Sequence, residues 1–279
     1  MKLFKYLSLV LVLVLAASCE KHEIEYKTTT ISNLAEFQLH YFVPVTAVAA
    51  NNINKILIND SLFANIKAPL ATYNGIPNGG VGRFYTVTPG IVNIKCYQGT
   101  AGDVLVYNQN VTMTEGKQNI FIHDFNLPPV VFNNGFPYAK NTTMNSDSVC
   151  YLKFYNFLYE TAGVPTTLKL QYQYIDPHNS TALINIGNPV AFGETTGWQQ
   201  VKVIKDVLIS AGTRRVDFRI KVVDASGNPT GDLQIRNTSG VYVNYTDFWT
   251  EAIGRRYHHV ISGFRAAAPG AAVRTFTAL

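Results

Sequence analysis

Few residues in this 279-residue chain have the types and spacing that chemistry needs. His258-His259 is the nearest approach to a metal-binding pair, and His123-Asp124 to a base with its orienting carboxylate. Both fall in stretches that read as strands, where neighbouring side chains point to opposite faces, so neither pair converges on one ligand. One of His258 and His259 is expected to face a core and the other solvent. Asp224-x-Ser226-Gly227-Asn228 comes closest to a calcium loop, but such a loop needs several converging oxygens, and a hairpin turn accounts for this one. The sequence holds no His-Glu-x-x-His, no Gly-x-Ser-x-Gly, no phosphate-binding glycine loop and no cysteine pair at zinc spacing. No catalytic residue, metal site or cofactor is therefore expected.

Cysteine gives a stronger signal. Lys2 and Lys5 precede an apolar run, Leu7 to Leu15, which is shorter than the roughly 20 residues of a spanning helix and reads as the apolar part of a signal peptide. Ala16, Ala17 and Ser18 follow, and then Cys19. This segment resembles the lipobox of secreted bacterial lipoproteins, with Ala16 where that family more often has Leu. The resemblance implies that the Cys19 thiol is acylated, that residues 1–18 are removed, and that lipid tethers the mature chain to the outer membrane. Glu20-Lys21-His22-Glu23-Ile24-Glu25 is similar to the export signal of surface-exposed lipoproteins in some Gram-negative groups; a solvated linker is the alternative. Residues 19–33 are then a lipidated spacer.

The rest is expected to fold. The chain has 23 Lys+Arg against 18 Asp+Glu, 47% hydrophobic residues and only 15% charged ones. That charge is too small to imply nucleic acid, and that composition lies outside the disordered range. Arg215 to Val222 alternates strictly, with Val216, Phe218, Ile220 and Val222 on one face, as in a half-buried strand. Similar runs lie at 37–43, 55–58, 92–97, 103–106, 119–123, 151–157, 167–174, 199–204 and 257–261, separated by Gly, Pro, Asn and Asp clusters. An all-β chain of antiparallel sandwiches is predicted.

A faint internal repeat divides it. Phe37-x-Leu39-x-Tyr41-Phe42 lines up with Cys150-x-Leu152-x-Phe154-Tyr155. Pro89-Gly90 lines up with Ala211-Gly212, and Gly116-Lys117 with Gly254-Arg255. Two tandem domains are predicted, 34–125 and 149–279, joined by a linker at 126–148. The arrangement is similar to bacterial cell-surface lipoproteins with tandem immunoglobulin-like domains of unknown function, a resemblance that implies fold and location and carries no site residues. Cys96 aligns with Phe218, and Cys150 with Phe37. Both are expected to be free thiols in separate cores, with a disulfide as the alternative.

Two further features suggest surface chemistry. With 16 Tyr and 2 Trp, the chain offers rings on which sugar faces stack, and Trp198, Tyr245 and Trp249 are the candidate glycan platform, against a packing role. Asp60-Ser61-Leu62 and Asp147-Ser148-Val149 resemble the acceptor of bacterial O-glycosylation, so Ser61 and Ser148 are candidate glycan sites. The expected function is a lipid-anchored, non-catalytic surface interaction or adhesion module whose partner is a glycan or a protein. The alternatives are a glycan-binding accessory of a nutrient-uptake system and a pilus-type structural subunit whose detachable segment would be Ala266 to Leu279, a tail that otherwise reads as a final irregular strand.

Overall fold

Alternation of apolar and polar residues dictates strands, and among the described residues strands are almost the only regular structure that forms. A computed structural model describes residues 33–76, 84–135, 149–176, 179–203, 208–210 and 212–277. The first half comprises β1 (Ala35–Tyr41), β2 (Lys55–Ile58), β3 (Ser61–Ala64), β4 (Asn74–Ile76), β5 (Tyr85–Val87), β6 (Gly90–Gln98), β7 (Val104–Met113), β8 (Gly116–Ile122) and β9 (Val130–Asn133). The second comprises β10 (Val149–Thr161), β11 (Val164–Pro165), β12 (Lys169–Asp176), β13 (Asn179–Val190), β14 (Thr195–Lys202) and β15 (Thr213–Val223). It continues through β16 (Pro229–Asp232), β17 (Gln234–Arg236), β18 (Tyr242–Asn244), β19 (Thr246–Ala252), β20 (Arg256–Phe264) and β21 (Ala272–Thr277).

These strands form an all-β, sandwich-like architecture, and the same wiring occurs in both halves. In the first, one sheet runs β4-β1-β8-β9 with β5 also on β1, and it faces a second sheet, β3-β2-β6-β7. In the second, a sheet β11-β10-β20-β21 with β14 on β10 faces a sheet β13-β12-β15-β16 with β19 on β15. β17 and β18 add a small separate hairpin. The three aligned motifs fall on corresponding strands: β1 and β10, β6 and β15, β8 and β20.

Direction is where alternation misled. β1 pairs with β8 in parallel, placing Leu39 beside Ile120, and β10 pairs with β20 in parallel, placing Phe154 beside His259. The other strand ladders among the described residues are antiparallel, as predicted, and these two are the exceptions within that architecture. Side-chain period is the same in either direction, and only the long connection that returns the chain to its starting sheet sets the polarity. The expected linker also begins with structure: β9 lies inside it, hydrogen-bonded to β8. Ala272–Thr277 is a regular strand that closes one side of its sheet against β20.

Two cores fill the two sandwiches. Phe37, Leu39, Tyr41, Ile56, Ile94 and Cys96 belong to the first. Leu152, Phe154, Tyr172, Phe218, Trp249 and Ile261 belong to the second. Cys96 and Cys150 are buried free thiols, one in each core.

A third cluster joins the halves. Phe42 and Phe121 from the first pack with Tyr155, Phe157 and Val260 from the second, all fully buried. The sheets carrying β1–β8 and β10–β20 are therefore covered on both faces, which explains near-continuous burial along β1, β10 and β20. Residues Asn33–Leu279 make one compact unit in consequence.

Candidate functional site

The groups with the most chemical potential gather where the two halves meet. On β1, side chains alternate between the first core and this seam, so Leu39 and Tyr41 point inward while His40 and Phe42 point across. The same alternation on β20 sends His259 to the second core and His258 to the seam. Neither histidine reaches solvent, and both are fully buried. The expected solvent-facing ring lies instead under the first half. His123 is also in the seam, its Nδ1 2.8 Å from the Tyr159 hydroxyl.

Hydrogen bonds chain these groups together. His40 Nε2 donates to Asn119 Oδ1 at 3.1 Å, and Asn119 Nδ2 donates to Asn134 Oδ1 at 3.1 Å. The Asn134 carbonyl accepts from Trp198 Nε1 and from Lys153 Nζ, and Lys153 Nζ also donates to the Asn133 carbonyl at 3.0 Å. The Tyr155 hydroxyl shares a 2.8 Å hydrogen bond with His258 Nδ1. Phe276 stacks on both His40 and His258, at 4.7 and 4.8 Å between ring centroids. Lys153 sits among the rings of Phe132, Tyr155 and Trp198, with its amine 5.6 to 5.9 Å from their centroids.

Burial sets the electrostatics. Desolvation pulls the His40 imidazole down to about 4 and the His259 imidazole to about 3, and holds His258 well below the ordinary histidine range. Lys153 falls to about 8 for the same reason. Neutral rings and one caged cation are suited to holding two sheets together, where an unpaired charge would be costly.

A second polar cluster lies at the edge of the second core. Arg214 on β15 and Glu251 on β19 are cross-strand partners and form a fully buried ion pair. Cys150 Sγ donates to Glu251 Oε2 at 3.2 Å. Burial, and then the adjacent carboxylate, push the Cys150 thiol far above its ordinary value. A nucleophilic cysteine needs the opposite shift, and the buried thiol, carboxylate and guanidinium are suited to tying β10, β15 and β19 together.

The proposed glycan platform is dispersed. Tyr245 and Trp249 are buried in the second core, Trp249 packing edge-on against Tyr257 and His259. Trp198 lies on the opposite side of the β10 sheet, next to His258. The three rings cannot form one exposed surface, because the apolar sandwich interior takes large aromatics first. An exposed ring occurs elsewhere: Phe248 lies on the outer face of the β15 sheet with the Arg215 guanidinium 3.8 Å above it, beside a shallow depression of about 400 Å³.

Ser61 is exposed at the tip of the β2–β3 hairpin, just after Asn59 and Asp60, whose positive φ angles of 49° and 62° make the tight two-residue turn. Cys19 and Ser148 lie outside the described residues. At Asp224, Oδ1 accepts from the amides of Ser226 and Asn228, a hairpin turn as read from the sequence. Sequence reasoning missed His40, Asn119, Asn134 and Lys153, and their only signal was polar residues alternating with apolar ones on strands rich in aromatics. Among the described residues, no group of three or more His, Cys, Asp or Glu is placed to hold a metal. No protein-family model matches the chain, and no curated protein matches it either.

Proposed function

We propose that this chain is a lipid-tethered protein of the cell envelope, held by an acylated Cys19, displayed at the surface, and working as a rigid, non-catalytic interaction module. The observation that carries the reading is the seam. His40, His123, Lys153 and His258, the residues best equipped for chemistry, are used to lock two sandwiches into one body. A locked body presents its outer sheets and loops in a fixed geometry, which lowers the ordering cost of binding a partner. The cluster of small residues before Cys19, and the charged stretch after it, support the tether.

Growth of producing cells with an alkyne-bearing fatty acid tests the anchor. Wild-type chain takes up label and Cys19→Ser does not; label persisting in the variant refutes acylation at this residue. Protease added to intact cells tests display. A chain left whole on intact cells and cut only after lysis rules out a surface module.

A further inference from the structure

Edges of β-sheets present unpaired backbone groups, and proteins blunt them with charge, proline, bulges or brevity. Most edges here follow that rule. β19 carries Asp247 and Glu251, β16 carries Pro229 and Asp232, β14 ends in Lys202, and β21 carries Arg274. β13 holds Pro189 and Gly187, the latter at a φ of +60°, and shifts register twice. β3, β4, β5 and β9 have three or four residues each.

β7 departs from it. It is ten residues long, Val104 to Met113, and contains no charged residue and no proline. Its one irregularity is a bulge beside Tyr97, which leaves Val106 out of register and Tyr107–Met113 regular. Among the described residues, no strand pairs with its outer side.

We infer that β7 is a strand-addition site for a second copy of this chain, which pairs with it antiparallel about a two-fold axis through Asn110. The regular segment has Asn110 at its centre, so this register uses all of it. Asn110 faces its own copy, Thr112 faces Asn108 of the copy, and Met113 faces Tyr107 of the copy. The outward row is already a polar ladder, because Asn93 Nδ2 donates to both Asn108 Oδ1 and Asn110 Oδ1, at 3.0 and 2.9 Å. Asn amides both donate and accept, so an Asn can satisfy an identical Asn across a two-fold. Pairing would run the ladder from Asn93 of one copy to Asn93 of the other. An uncharged strand offers a charged partner no electrostatic reward, and it meets itself without like-charge repulsion. The inference depends on the β7 edge alone and is independent of the lipid anchor.

Site-directed disulfides test it in intact cells making the full chain, with a mild oxidant and non-reducing gels. At Asn110 the two Cα atoms would be about 4.5 to 5.5 Å apart, inside the range a disulfide spans. At Thr112, two positions off the axis, the distance to its own copy is about 14 Å. Asn110→Cys is therefore expected to give roughly tenfold more cross-linked dimer than Thr112→Cys, with the unsubstituted chain as background. Co-production of Asn108→Cys and Thr112→Cys should cross-link where neither does alone, and this arm decides the matter if Asn110→Cys fails to accumulate. The pairing is overturned if Asn110→Cys exceeds Thr112→Cys by less than twofold, or if the mixed pair gives no more dimer than the single variants.

Discussion

Glu251 shows how one residue can look functional and act structurally. Its carboxylate accepts from a thiol and faces a guanidinium, a grouping that elsewhere activates nucleophiles. Here burial pushes the carboxyl up to about 7, against the pull of Arg214. The Glu251 carboxylate in turn discourages the Cys150 thiolate. Removing one partner of a buried pair strands the other, so Glu251→Ala is expected to cost about 3–5 kcal/mol of unfolding free energy. Denaturant titration measures this, and a loss below about 1 kcal/mol would mean that Arg214 finds solvent or another partner. The cysteines show what residue-level reading achieves. Cys96 and Cys150 were placed in separate cores because each aligned with a phenylalanine on an apolar strand face, and that inference needed only local pattern. Trp249 and Tyr245 went the other way: an aromatic count cannot tell an exposed ring from a packed one.

Elements were legible to the extent that only one of their faces was wet. β15 is legible from alternation, because its polar face does meet solvent or a rim. β13 was missed, since Gly187, Pro189 and two register shifts break its period. β1, β8, β10 and β20 fall in stretches legible as strands, yet nothing in their pattern marks the polar residues Gln38, His40, Asn119, Lys153 and His258 as covered. All five are buried. A sequence pattern records side-chain polarity and says nothing of what covers it, so the seam between the halves stayed hidden. Close strand contact at this seam makes its own prediction. Gly75 on β4 lies opposite His40, and a methyl group there would sit 2.5 Å from His40 Nδ1. Gly75→Ala should therefore push the ring into Asn119 and Phe276 and destabilise by about 1–3 kcal/mol. Gly231→Ala, where an added carbon meets nothing within 4 Å, should be near neutral. Thermal melts of the two variants would refute this account if their order were reversed.

Buried neutral imidazoles sit in the seam and in the second core of the molecule, which makes its stability depend on pH. Each of the four described histidines has a folded-state value below the ordinary 6.5, so the unfolded chain binds more protons as pH falls below that value. Their stabilisation is complete above about pH 6.5 and is lost as pH falls toward 4. For His40 alone the loss is on the order of 3 kcal/mol. Glu251 runs the other way over pH 4.5 to 7, gaining stability as pH falls, and it offsets part of one histidine. The midpoint of unfolding should therefore drop between pH 6.5 and 4, and His40→Gln should flatten the slope. A flat profile in the unsubstituted chain would show that the rings are solvated.

Each half starts and ends in the same sheet, with β1 beside β8 and β10 beside β20. The contacts that close them span 79 residues from His40 to Asn119 and 103 from Tyr155 to His258. Such closures come late in folding, because a long loop must be ordered before its ends reward it. A chain that emerges from its N-terminus therefore completes the first sandwich while the aromatic face of Phe42 and Phe121 still has nothing to rest on. That face stays sticky until β10 and β20 arrive. The interval between the two closures is when the protein is most exposed to aggregation, and it is the period in which a chaperone would have something to hold.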